Sequence, residues 1–172
     1  VTYASAGPGS PQHITAELFK YLTKAQMIHV PYKSAGLSIV SVLSGETAVS
    51  FEAMIPALPH VKAGKLRAIG VTSTRPVSLL SGVPTVAEAG VPGFESVAWY
   101  GIVAPAQTPS PIIQKLNAEL VRILMQNDMK QRLAEMGNQE VVAGPPEAFG
   151  KLIRDEVNKW AAVVRSAGIK LD

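Results

Sequence analysis

The stretch Tyr3-Ala4-Ser5-Ala6-Gly7-Pro8-Gly9-Ser10-Pro11-Gln12-His13 decides how the rest of the chain reads. Val1 to Ala4 is a short strand-like run that feeds a glycine-rich turn. Ser10 suits a helix N-cap and Pro11 suits the first helical turn. The expected unit is a strand, a glycine loop and a helix whose N-terminus points out of the loop. First-turn N–H groups lack intrahelical partners, and the helix dipole favours negative charge there. Such a unit can hold an anion. It can equally be a well-capped turn that binds nothing.

Working outward, helix periodicity runs from Ser10 to about Lys24, with Ile14, Leu18, Tyr21 and Leu22 on one face and Phe19 beside them. Met27 to Val30 reads as a strand closed by Pro31, Leu37 to Leu43 as a helix stopped by Gly45, and Thr47 to Phe51 as a third strand. Leu66 to Thr72 reads as a strong apolar strand and Val97 to Ala104 as another. Thr85 and Glu88 have the spacing of a capping box. Helices are expected over Ile112–Leu124 and Asp128–Met136, and from Pro146 to a stop at Gly168, with Val141 and Val142 extended between them. Alternating strands and helices, with strands this apolar, predict an α/β fold with a parallel-rich sheet covered on both faces.

The 47% apolar and 17% charged composition is that of a globular chain. A net charge of +3, with basic residues scattered among acids, forms no nucleic-acid footprint, and we expect no nucleic-acid partner. The absence of cysteine excludes disulfides, thiolate metal sites and a cysteine nucleophile. No apolar run reaches the length of a membrane span. Val1 is no initiator methionine and the chain opens inside a strand pattern, so an upstream segment is expected.

No enzyme constellation emerges. His13, His29 and His60 lack metal-ligand spacing, and no Gly-x-Ser-x-Gly elbow, Walker motif or complete dinucleotide fingerprint occurs. Neither a metal, a cofactor nor a catalytic residue is expected. His13 reads as an exposed helix residue or one behind the contacts, and Lys33 as a solvated loop lysine or an anion partner. In open α/β sheets, ligands bind outside the carboxyl ends of the strands. Three stretches reach that edge, and the candidate ligand-binding residues are Ser5, Gly7, Gly9, Ser10, Tyr32, Phe51 and Glu52. Small residues and N–H donors without a nucleophile and base suit binding a carboxylate rather than transforming it.

The motifs carry a resemblance. Tyr3-Ala4-Ser5 with Gly7, Gly9, Ser10 and His13, then His29-Val30-Pro31-Tyr32-Lys33, Ala63-Gly64-Lys65-Leu66-Arg67 and Val83 to Gly90 follow in order. Trp99 with Gly101, Ala104-Pro105-Ala106 with Thr108-Pro109, and Gly168-Ile169-Lys170 complete the set. Together they resemble the tripartite tricarboxylate transporter substrate-binding proteins, the TctC-like Bug family, over essentially the whole chain. The chain departs from the usual family pattern at Ser34 (commonly glycine), Ala48 (commonly an acid) and Ser81-Gly82 (commonly Pro-Asp).

The resemblance implies a type II periplasmic-binding-protein-like fold, here a C-terminal portion. One Rossmann-like lobe would be complete, and the C-terminal helices would belong to the other, incomplete lobe. The expected division is a ligand-binding lobe over 1–97, a crossover strand over 98–105, and a helical part over 106–172. The implied function is periplasmic capture of a small carboxylate, such as a dicarboxylate, a tricarboxylate or an acidic amino acid, for a membrane permease of a tripartite transporter. An effector-binding or extracytoplasmic signalling module on the same lobe is the alternative. With large apolar side chains on helices 110–126 and 146–167 and no sheet to cover them, self-association of the isolated chain is also expected.

Overall fold

The computed structural model describes residues 1–135 and 140–169. Three strands, β1 (Thr2–Ser5), β2 (Ile28–Pro31) and β3 (Val49–Ser50), form a parallel sheet in the order β2-β1-β3. The register sets Tyr3 beside His29 and Val49, and Ser5 beside Pro31. β1 is the central strand, and Tyr3, Ala4 and Ser5 are fully buried. Helix α1 (Pro11–Thr23) connects β1 to β2, and α2 (Ala35–Leu43) connects β2 to β3. The chain leaves β1 toward one sheet edge and then returns across it to the other. Right-handed crossovers in opposite directions put the two helices on opposite faces. The doubly covered parallel sheet expected from the sequence is thus present.

The chain divides into two compact units, Val1–Ala98 with Lys159–Asp172, and Trp99–Asn158. In the first unit, Leu18, Phe94 and Val163 form the buried apolar core, with Phe19, Phe51, Val86, Val91 and Trp160 packed against it. Phe19, Phe51 and Phe94 contact one another in pairs, with ring centroids 5.9–6.4 Å apart. The Thr85–Glu88 capping box is formed reciprocally. Glu88 N donates to Thr85 Oγ1 at 3.0 Å, and Thr85 N donates to Glu88 Oε2 at 2.9 Å. Helix α3 (Met54–Lys62) and a single 3₁₀ turn, Ser78–Leu80, lie between β3 and this box.

In the second unit, α4 (Ser110–Leu124) and α5 (Asn127–Glu135) precede α6 (Pro146–Ala167), whose last turns belong to the first unit. Trp99 packs edge-on against Phe149 at 5.5 Å. The α4 residues Ile112 and Leu116, and Val157 of α6, are exposed. The C-terminal end of the expected helix over Asp128–Met136 falls at Met136, outside the described residues.

Four local expectations need correction. Leu66 to Thr72 is not a strand; it makes one isolated bridge, Val71 to Thr85, and leaves Ile69 exposed. Val97 to Ala104 likewise forms no strand, and Tyr100, Ile102 and Val103 are exposed. Apolar, β-branched composition makes a strand only where a neighbouring strand supplies hydrogen bonds, and among the described residues neither run has one. On α1, Tyr21 and Leu22 are exposed, while Gln12, His13, Thr15 and Glu17 are buried with Ala16 and Leu18. The helix turns a polar face inward because polar partners wait there. Finally, α2 begins two residues earlier than its apolar pattern, because Ser34 caps it, accepting from Leu37 N at 3.3 Å.

Candidate functional site

The β2-β1-β3 order creates a switch point between β1 and β3. There the connections diverge, leaving a crevice at the carboxyl ends of the two strands. The loop after β1 and residues Phe51 and Glu52 after β3 flank it.

The loop is shaped by its own small residues. Gly7 and Gly9 have φ of +117° and +73°, conformations that side chains strain to adopt. Ser10 caps α1, accepting from His13 N at 3.3 Å, and its own hydroxyl donates to Gly7 O at 2.7 Å. Ser10 N also donates to Gly7 O, at 3.2 Å. Gly7 N donates to Ser5 Oγ at 3.0 Å. Tyr32 joins from the β2 end, with its N–H donating to Ser5 O at 2.9 Å. A Cβ on Gly7 would lie 3.3 Å from Tyr32 O, so this approach requires the glycine. Among the described residues the Tyr32 hydroxyl is buried without a hydrogen-bond partner. Ser5, Gly7, Ser10 and Tyr32 therefore form one hydrogen-bonded cluster.

The remaining candidates stand differently. Glu52 accepts from Gln12 Nε2 at 3.2 Å and from the hydroxyl of Ser38, linking α1 to α2 around the sheet edge. Phe51 is turned into the aromatic core beside Phe19 and Phe94. Lys33 and Ser34 are exposed on the loop leading into α2.

Beneath the loop lies a cluster that motif reading did not single out as a unit. Tyr3, His29 and His13 form a stack. Tyr3 and His29 are 4.9 Å apart at 14°, and His29 and His13 are 4.0 Å apart at 7°. Gly9 N donates to His13 Nδ1 at 3.0 Å, so His13 accepts through that nitrogen. Ser5 Oγ and His29 Nε2 are hydrogen-bonded at 2.6 Å. Below them, Glu17 accepts from the Tyr3 hydroxyl at 2.7 Å and pairs with Lys20 at 2.6 Å.

Burial sets the electrostatics of this cluster. Desolvation, with the neighbouring His13 and Lys20 adding to it against Glu17, pushes His29 down to about 4. Burial also holds His13 below the ordinary imidazole value, with Glu17 opposing and Lys20 assisting. Burial drives Tyr3 above the ordinary phenol range, and its bond to Glu17 adds to the effect. For Glu17, burial works upward, but the bonds from Lys20 and Tyr3 outweigh it and the carboxyl titrates low. At neutral pH both imidazoles are uncharged, and Glu17 and Lys20 neutralise each other. The sequence signal for this cluster was His29 facing Tyr3 across a parallel pair, which is visible only once the register is known.

The site so built is an internally hydrogen-bonded glycine loop leading into a capped helix start, backed by a neutral ring stack. Residues 1–169 match the tripartite tricarboxylate transporter family receptor profile, TctC. The chain belongs to this receptor family. Among curated relatives it is 36% identical to protein BugT of Bordetella pertussis over 171 residues, which is 99% of this chain and 52% of that protein. Two solved structures share the fold at 32% identity. R. palustris Rpa4515 with adipate superposes with a TM-score of 0.81 and 98% coverage of this chain, 56% of its own. MatC from Rhodopseudomonas palustris with bound malate gives 0.71, with 95% and 56% coverage. The chain thus spans about half the length of these relatives, as a C-terminal portion of a receptor of this family would. Receptors of this family are periplasmic binding proteins and not enzymes. No described helix is long and apolar enough to cross a membrane.

Proposed function

We propose that this chain supplies one lobe's half of a periplasmic receptor that captures a small dicarboxylate for a tripartite tricarboxylate transporter. The observation that carries this reading is the loop between β1 and α1. Gly7, Gly9 and Ser10 tie the loop to itself, and it sets the N-terminus of α1 at the switch-point crevice with a stack of neutral rings behind it. Helix-start N–H groups bond a carboxylate oxygen with charge assistance, and such bonds are shorter and stronger than neutral ones. Ser5 is fully buried and serves by holding Gly7 rather than by touching the ligand. Glu52 and Phe51 secure the opposite wall. The adipate and malate held by two relatives support a dicarboxylate.

In this reading residues 1–97 are the ligand-binding lobe, 98–105 cross to a second lobe, and the helices from 106 onward belong to that lobe, except the last turns of α6, which return to the first unit. Closure on the ligand would present the receptor to a membrane permease. A thermal-shift screen of the full-length protein against small carboxylates tests the reading, since a ligand bound only by the native state raises its apparent stability. Dicarboxylates are expected to raise the melting temperature and monocarboxylic esters to leave it unchanged. No response to any carboxylate would overturn the proposal.

A further inference from the structure

We propose that His13 and His29 are positioning residues for the glycine loop, and that the loop keeps its binding conformation only while the His13 ring is neutral. The carboxylate part of this inference rests on the proposed function above.

Each ring is tied to a different glycine amide. His13 takes the Gly9 N–H directly on Nδ1 at 3.0 Å. His29 is bonded to Ser5 Oγ at 2.6 Å, and that oxygen takes the Gly7 N–H at 3.0 Å. The two ends respond differently to a proton. A protonated imidazole has donors on both nitrogens and no acceptor. On His13, the new Nδ1–H would face the Gly9 N–H, donor against donor, and Gly9 would have to turn away. On His29, Ser5 can still accept from Nε2 by redirecting its hydroxyl to Gly7 O, 3.3 Å away. His13 is therefore the ring whose protonation the loop cannot absorb. The parallel rings lie 4.0 Å apart, so a charge on either one opposes a charge on the other.

The groups facing the pair are Tyr3 from β1 and Glu17 and Lys20 from α1. Glu17 Oε1 is 3.9 Å from His13 Nε2 and draws a proton toward it. That carboxylate is already engaged by Lys20 and by the Tyr3 hydroxyl, so its pull is largely spent. Burial opposes the charge on both rings. The pair is thus neutral at pH 7 and takes up a proton only in acid. The expected consequence is a receptor whose grip on a carboxylate loosens in acid, below the ordinary imidazole range, independently of the ligand's own titration.

The test compares wild type with His13→Asn in the full-length protein. The asparagine amide oxygen can accept the Gly9 N–H but binds no proton in this range. Adipate is the probe, titrated calorimetrically from about pH 7.5 to about pH 4.5. Its own protonation affects both proteins alike and cancels in the ratio of their dissociation constants. The expected result is that wild type weakens about tenfold more than His13→Asn over this range, the scale of one lost hydrogen bond in the loop. Parallel weakening would overturn the proposal.

The Gly9 amide resonance of the unliganded protein gives a second readout that needs no ligand. It is expected to move with pH in wild type and to stay in place in His13→Asn. The same course in both would overturn the positioning role. If adipate and malate bind neither protein at any pH, the carboxylate reading fails, while Gly9 still decides the loop's dependence on His13. Should His13→Asn not fold, the nitrogen signals of the wild-type His13 ring take its place. The Gly9 amide must then move at the pH where Nδ1 gains its proton, and movement at any other pH would contradict the proposal.

Discussion

Gln12 Nε2 donates to Glu52 Oε2 at 3.2 Å, joining the first turn of the helix after β1 to the residue that follows β3. The other oxygen of Glu52 takes the hydroxyl of Ser38, a fully buried residue of α2. One carboxylate thus ties together helices that the sheet keeps on opposite faces, at the edge where the crevice opens.

Glu52→Ala is expected to lower stability by about 1–3 kcal/mol, because the buried Ser38 hydroxyl loses its acceptor. It should also weaken dicarboxylate binding by freeing the start of α1. Urea denaturation and calorimetry on the same preparation check both. A variant as stable as wild type would show that Glu52 holds nothing.

Ser10→Ala removes both the cap of α1 and the hydroxyl that fixes Gly7 O. The expected loss is about 1 kcal/mol of stability, typical of an N-cap. Ligand affinity should fall as well, because the start of α1 would no longer be fixed to the loop. Ser10→Asp keeps a capping oxygen but sets a negative charge at the proposed carboxylate position. It is expected to restore stability without restoring binding, and that separation is read by comparing the two variants.

Much of this edge was legible in the sequence because its residues are chemically unusual. Glycines at positive φ, a serine before a proline, and three strand-to-loop junctions are local signals, and the structure places them where the pattern does. Leu66–Thr72 and Val97–Ala104 misread for the opposite reason. Strand propensity is a statement about side chains, while a strand is made by a neighbour's hydrogen bonds, which composition does not contain. The inward polar face of α1 was hidden too. A buried Glu17 is read as solvated until Tyr3 and Lys20 are known to lie against it.

Acid should destabilise the fold through His29. Its folded value is pushed down to about 4 from an ordinary 6.5, so the unfolded chain binds more protons between these values. Stability rises with pH wherever the unfolded state holds more protons. The contribution is therefore complete above 6.5 and is lost as the pH falls toward 4. Glu17, titrating below its ordinary range, acts in the same direction at still lower pH. Urea midpoints measured across this window should fall with pH in wild type and less steeply in His29→Gln. Equal slopes would remove His29 from the account.

In the second unit, a Cβ on Gly101 would overlap Cζ of Phe149. Gly101→Ala must therefore displace the ring and break its edge contact with Trp99. The expected cost is about 1–3 kcal/mol, as for overpacking generally. Phe149→Leu should recover part of it in the double variant. Near-ultraviolet circular dichroism, which senses the surroundings of Trp99, reports the displacement directly.

The proposed grip on a carboxylate depends on the Gly7–Ser10 loop holding the start of α1 at the crevice. Gly9→Ala forces a side chain into a φ of +73°, at the residue whose N–H is held by His13. Calorimetric titration of the full-length wild type and Gly9→Ala with adipate and malate at neutral pH is the most direct test. Saturable binding by wild type is expected, with a loss of at least about tenfold in the variant, or roughly 1.4 kcal/mol. Equal affinity in the two proteins, with both folded, would contradict it.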